Sequence, residues 1–126
     1  MNYGVIDVGS NTVRLCVYDV LCPEKRKFKT IMNRKIMAGL AAYIVDGAFS
    51  DEGIAEAILA VKKCLKRASY LSPDCVDVFA TAVLRNVSNS AQAIAAIEQG
   101  AGCSISLLSN TDEAHLGFVG ASSRGT

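Results

Sequence analysis

Residues 3–20 read YGVIDVGSNTVRLCVYDV. Two runs rich in Val, Ile, Leu and Tyr, at 3–8 and 12–20, flank a short polar segment. Such residues favour a pleated, half-buried surface, so each run predicts a strand. Residues 9–12 suffice to join the two as an antiparallel hairpin. One residue breaks the pattern. Asp7 lies inside an apolar strand, where a carboxylate needs a counter-charge, a hydrogen-bond donor or a metal.

The rest of the chain extends this start. Pro23 marks a second turn at 21–25, and residues 28–37 are a third strand candidate, completing a meander. Residues 38–48 hold Gly39 and Gly47 without a firm period and are read as loop. Ser50 is placed to cap a helix, with Asp51 and Glu52 in its first turn. Ile54, Ile58, Val61, Leu65 and Ala68 recur at helical spacing and define one apolar stripe. Lys62, Lys63, Lys66 and Arg67 lie toward the other side and near the C-terminal end, which Leu71-Ser72-Pro73 closes. Residues 76–81 (VDVFAT) are a short buried strand. Asn89 is read as the cap of a second helix, with Ala93, Ile94, Ala96 and Ile97 inward and Gly100 just past its C-cap. Residues 103–108 form another strand, and Ser109 or Asn110 begins a last helix. The order β-β-β-α-β-α-β-α predicts an α/β fold with a mixed sheet and helices packed on it.

Composition narrows the function. A chain of 126 residues with 51% apolar content fits one globular domain. A net charge of +1 with no basic stripe argues against nucleic-acid binding. The KRKFK run at 25–29 reads as a solvated strand start. The five cysteines are scattered and the single histidine is His115, which disfavours a zinc site. They read as reduced, mostly buried thiols, and the expected location is cytoplasmic. Asp7 interrupts the first apolar run, so no signal peptide is expected. No stretch approaches the ~20 apolar residues of a membrane span.

Three segments can carry chemistry. In the first, Gly9 can take φ above zero and lets a ligand approach the backbone. The amides of Ser10, Asn11 and Thr12 can then form an anion-binding concavity, with Asp7 holding a hydrated Mg²⁺ against a phosphate. The plain alternative is a hairpin loop with Asp7 across from Arg14, and the stretch alone leaves both open. In the second, FATAVLRNVSN at 79–89, Arg85 follows a strand, where active residues collect and where an arginine can grip phosphate oxygens. The alternative is a solvated surface arginine. In the third, Glu113 stands three residues after Asn110, which is capping-box spacing. It can equally be the base that orients a water for attack on phosphorus.

Taken in order, these segments resemble the exopolyphosphatase/guanosine pentaphosphate phosphohydrolase (Ppx/GppA) family, within the acetate and sugar kinase/Hsp70/actin superfamily. IDVGSNTVRL is similar to the family's first phosphate loop. ATAVLRNVSN is similar to its A-T-x-A-x-R-x-x-x-N segment, and SNTDEAHLGFVGA to its S-G-x-E-E-A…G segment. The resemblance implies a ribonuclease H-like (actin-like ATPase superfamily) domain, with residues 1–126 as the first of two such domains. It implies hydrolysis of a terminal phosphoanhydride of polyphosphate or guanosine pentaphosphate. Asp7 would lie near Mg²⁺, Gly9, Ser10 and Asn11 would supply the phosphate loop, Arg85 would bind phosphate, and Glu113 would activate the water. Three places depart from the pattern. Asn110 stands where Gly is usual, Asn86 replaces the usual acidic residue, and AGLAA at 38–42 lacks the glutamate of an L-G-E-G-type stretch.

The family's second phosphate loop, a D-x-G-G-G-S-type motif, is not found in this sequence. The tail SSRGT looks like a place where a chain was cut, so the expectation is a fragment that alone hydrolyses little. Its implied partners are a polyphosphate or guanosine polyphosphate, the missing second domain and, as a further option, a second copy in a homodimer. Two other readings remain open: the nucleotide-binding lobe of an actin-like or sugar-kinase-type ATPase, and a non-catalytic module that binds such phosphates.

Overall fold

A computed structural model describes residues 2–22 and 27–107. Strands β1 (Asn2–Val8), β2 (Thr12–Cys22) and β3 (Lys27–Met37) form the expected meander. A 3-10 turn (Leu40–Tyr43) and a small hairpin of β4 (Ile44–Val45) and β5 (Ala48–Phe49) follow. Next come helix α1 (Asp51–Ser69), β6 (Cys75–Ala80), the single-turn α2 (Ala82–Arg85), α3 (Ser90–Ala101) and β7 (Ile105–Leu107). The last helix expected after Ser109 lies outside the described residues, as does part of the turn expected at 21–25.

The five-stranded sheet has the order β3-β2-β1-β6-β7. β1 pairs antiparallel with β2, and β2 with β3. β6 pairs parallel with β1, and β7 with β6. This mixed sheet with helices on it is the ribonuclease H-like arrangement. Strand alternation sorts the residues between the two faces. Ile6, Val8, Val13, Leu15, Val17, Val78 and Ala80 form one buried core with residues of α1 and α3. Asp7 points to the other face. Its register partners are Arg14 on β2 and Phe79 on β6, so the cross-strand placement of Asp7 and Arg14 holds.

Several local expectations need correction. Residues 38–48 are not plain loop. Asp46 (φ 52°) and Gly47 (φ 80°) form the two-residue turn of the β4–β5 hairpin, the conformation that a type I′ turn requires. The buried line of α1 is Gly53, Ala57, Ala60, Val61, Cys64 and Ala68, with Ile54, Ile58 and Leu65 half-buried beside it. Small residues at its centre let the helix lie close to the sheet, and the larger ones fill the flanks. Gly100 does not follow the C-cap of α3. It lies inside the helix against Ile58, and the left-handed end residue is Gly102 (φ 73°). The thiols are less buried than expected: Cys64 is buried, Cys16 and Cys103 are half-buried, and Cys75 is exposed.

Candidate phosphate-binding site

The C-terminal ends of β1 and β6 lie side by side, with Val8 opposite Ala80. β3 ends at the same edge, because Met37 pairs with Thr12 at the start of β2. The segments 9–12, 38–41 and 81–85 therefore meet there. In open α/β sheets this edge is where ligands bind.

The loop after β1 is held from within and from one side. The Gly9 amide donates to the Thr12 carbonyl at 3.0 Å. The Ser10 carbonyl accepts from Ala41 N–H and the Asn11 carbonyl from Gly39 N–H, each at 2.9 Å. In a trans peptide, a carbonyl and the following amide point in opposite directions. The Asn11 and Thr12 amides thus point away from the 39–41 turn. The role foreseen for Gly9 changes accordingly. Its φ is not positive; a Cβ there would instead stand 3.1 Å from the Thr12 carbonyl oxygen, so close backbone approach is what favours glycine.

Arg85 ends α2 and is half-buried, so it is not a freely solvated side chain. Its position is set by Thr81, a residue that sequence reasoning did not single out. The Thr81 amide and hydroxyl both donate to the Val8 carbonyl at 3.3 Å. The Thr81 carbonyl accepts from Leu84 N–H at 3.1 Å and Arg85 N–H at 3.0 Å. One residue thus joins the end of β1 to the turn carrying Arg85. The available signal was a threonine directly after a buried strand.

Asn89 does not cap α3 through its side chain. Its Oδ1 accepts from Phe49 N–H at 2.8 Å, and its Nδ2 donates to the Phe49 carbonyl at 2.9 Å. The side chain is turned toward Phe49 and makes no bond to the first amides of the helix.

Asp7 is half-buried one residue before the end of β1, and its Oδ1 is shielded from solvent. Among the described residues no group of three or more His, Cys, Asp or Glu could hold a metal. A magnesium ion usually takes one or two carboxylates, keeps several waters and binds substrate phosphates. A single carboxylate beside a loop with outward amides fits that chemistry. The structure therefore brings Asp7, Gly9, Ser10, Asn11 and Arg85 to one sheet edge, whereas Glu113 lies outside the described residues.

A profile of the Ppx/GppA phosphatase family matches residues 21–125. The chain belongs to this family. The Ppx/GppA family member of Aquifex aeolicus has a crystal structure similar to this chain, with a TM-score of 0.82 at 21% identity over 95% of this chain and 39% of that one. An exopolyphosphatase from Cytophaga hutchinsonii is similar at a TM-score of 0.81 and 26% identity, over 92% of this chain and 36% of that one. The chain thus spans well under half the length of these Ppx/GppA structures. No helix among its described residues is long and apolar enough to cross a membrane.

Proposed function

We propose that the chain supplies one wall of a phosphohydrolase cleft that cleaves terminal phosphoanhydride bonds of polyphosphate or guanosine pentaphosphate. The observation that carries this reading is the joint placement of the 9–12 loop and Arg85 at one sheet edge, tied through Thr81 to Val8. Phosphoryl transfer needs positioning and charge neutralisation more than covalent chemistry. The Asn11 and Thr12 amides supply fixed donors for phosphate oxygens. Arg85 supplies a planar, permanently charged fork for the same group. Asp7 would hold Mg²⁺, which when bound neutralises charge on the phosphate oxygens. Glu113 would take the proton of the attacking water, and the second domain of the complete protein would close the cleft from the other side.

The test is phosphate release from polyphosphate and guanosine pentaphosphate by the full-length protein and its variants. Arg85→Ala and Asp7→Asn should each lower kcat/KM by roughly 10²-fold or more, about 2.7 kcal/mol of transition-state stabilisation. Glu113→Gln should lower kcat with little change in KM. Wild-type turnover in Arg85→Ala would refute the assignment. The 126-residue chain alone should release little phosphate.

A further inference from the structure

We propose that Asn89 is a positioning residue that closes a ring of hydrogen bonds around the candidate site. It clamps the segment carrying Arg85 onto the segment that holds the phosphate loop, and this rests on the phosphate reading of both. The helix α2 has only four residues, too few to persist without outside support. Its first anchor is Thr81, bonded to Val8. Its second anchor lies just beyond Arg85, where Ser88 N–H donates to the Gly47 carbonyl at 2.8 Å and Asn89 makes its two bonds to Phe49.

A primary amide offers one acceptor and one donor side by side, and the Phe49 backbone presents the complementary pair. Asn89 therefore acts as one more rung on the β4–β5 hairpin. That hairpin connects back to the loop in short steps. Phe49 is the register partner of Ile44, and Ser50 N–H donates to the Tyr43 carbonyl at 3.0 Å. The turn that ends at Tyr43 holds the loop through the Gly39 and Ala41 amides. The loop returns through Val8 to Thr81. Arg85 and the loop are thus joined by two independent routes, and Asn89 closes the longer one together with the Ser88–Gly47 bond.

The experiment combines amide hydrogen exchange with calorimetric titration of tripolyphosphate, on the full-length protein and on its Asn89→Ala and Asn89→Asp variants. Asn89→Ala removes both bonds. Exchange at Phe49 and Ser88 should rise about tenfold, and exchange at Gly39 and Ala41 should rise with it. Tripolyphosphate affinity should fall about tenfold. Asn89→Asp keeps the side chain's volume and its acceptor but sets a carboxylate oxygen against the Phe49 carbonyl, so it should loosen Phe49 and lower affinity at least as much, and as an isosteric change it keeps the test readable if the alanine variant folds poorly. Wild-type exchange at Gly39 and Ala41, or wild-type affinity despite a loosened Phe49, overturns the clamp. Arg85→Ala is the control for the underlying reading. If it leaves tripolyphosphate affinity unchanged, the phosphate assignment fails, and exchange at Gly39 and Ala41 alone decides whether Asn89 closes the ring.

Discussion

Replacing glycine by alanine inside a helix usually stabilises a protein. Gly53→Ala should do the reverse. Gly53 is the third residue of α1, and its amide donates to Ser50 Oγ at 3.1 Å. A Cβ at this position would stand 2.5 Å from Tyr43 Cβ and 2.7 and 2.9 Å from Phe49 Cε1 and Cζ. Carbon atoms pack at roughly 3.5–4.0 Å, so the start of the helix must lift or the hairpin must yield. Neither neighbour moves easily. Tyr43 Cβ is attached directly to the backbone, and Phe49 is only 2% exposed. Overpacking of this kind costs about 1–3 kcal/mol, against a helix-propensity gain of up to about 1 kcal/mol. The net loss should be about 1–2 kcal/mol. With a urea m-value of about 1–2 kcal/mol/M, the unfolding midpoint should drop by roughly 1 M. Gly100→Ala is the matched comparison. The three atoms nearest its would-be Cβ all belong to Ile58, the far end Cδ1 at 2.5 Å and then Cγ1 and Cγ2 at 3.0 and 3.2 Å, and that half-buried side chain can turn aside. It should cost less than Gly53→Ala. Urea titration followed by far-ultraviolet circular dichroism measures both. A Gly53→Ala chain at least as stable as wild type, or one less perturbed than Gly100→Ala, would refute the packing argument.

Three further outcomes follow from local geometry. Ser50→Ala removes the side-chain acceptor for Gly53 N–H and should cost about 1 kcal/mol, lowering the thermal midpoint by a few degrees. Gly102→Ala forces a Cβ onto a backbone at φ 73° and should cost about 1 kcal/mol, with faster amide exchange in the last turn of α3. Burial raises the Cys64 thiol pKa from 9.0 to about 11, despite the opposing pull of Arg67. Between those values only the unfolded chain loses the proton, so this stability is complete below about pH 9 and is lost as pH rises toward about 11. Urea midpoints measured across that range should fall for wild type and fall less steeply in Cys64→Ala, where Cys103, also raised by burial, still contributes. Tyr18, raised to about 12 chiefly by burial and secondarily by Cys16, adds a decline above about pH 10 that both proteins share.

The strands and long helices were legible because each carries its own period. The apolar runs at 3–8 and 12–20 pair as the pattern implies, and Ser50 caps α1 as its chemistry predicts. The 38–48 segment was not legible as structure, although its Asp46-Gly47 turn is a strong hairpin signal. Two-residue strands are too short to show alternation, and what holds them is distant in sequence. Phe49 is bonded to Asn89, forty residues away. The misreading of Asn89 has the same origin. An asparagine before a helix is a good cap by local rules, and only the fold brings Phe49 close enough to compete for it. Of the site, Asp7, the 9–12 loop and Arg85 stood out as residue types out of place in apolar or strand-end settings. Thr81 did not, because its contribution depends on the parallel pairing of β1 with β6.

Two of the departures from the pattern that the resemblance implies, those at 38–42 and Asn86, fall where they leave the loop's support intact, and the third, at Asn110, lies outside the described residues. The turn at 39–41 holds the loop through the Gly39 and Ala41 amides, backbone bonds that need glycine at 39, where φ is 60°, but no particular side chain at 41. Leu40, the residue between them, is fully buried in the core and anchors the turn from beneath. A missing glutamate in this stretch therefore changes what the turn can offer a ligand without releasing the loop. Asn86 is exposed beyond α2 and takes no part in the bonds that fix Thr81, Ser88 or Asn89. Backbone and amide groups set the shape of this sheet edge, while exposed side chains around it would, on the proposed reading, change the chemistry presented to a phosphate. Substitutions at residues 41, 42 and 86 should then alter which phosphate compound is preferred while leaving unfolding midpoints nearly unchanged. Substitutions at Thr81 or Asn89 should disturb the stability of this edge and ligand binding together.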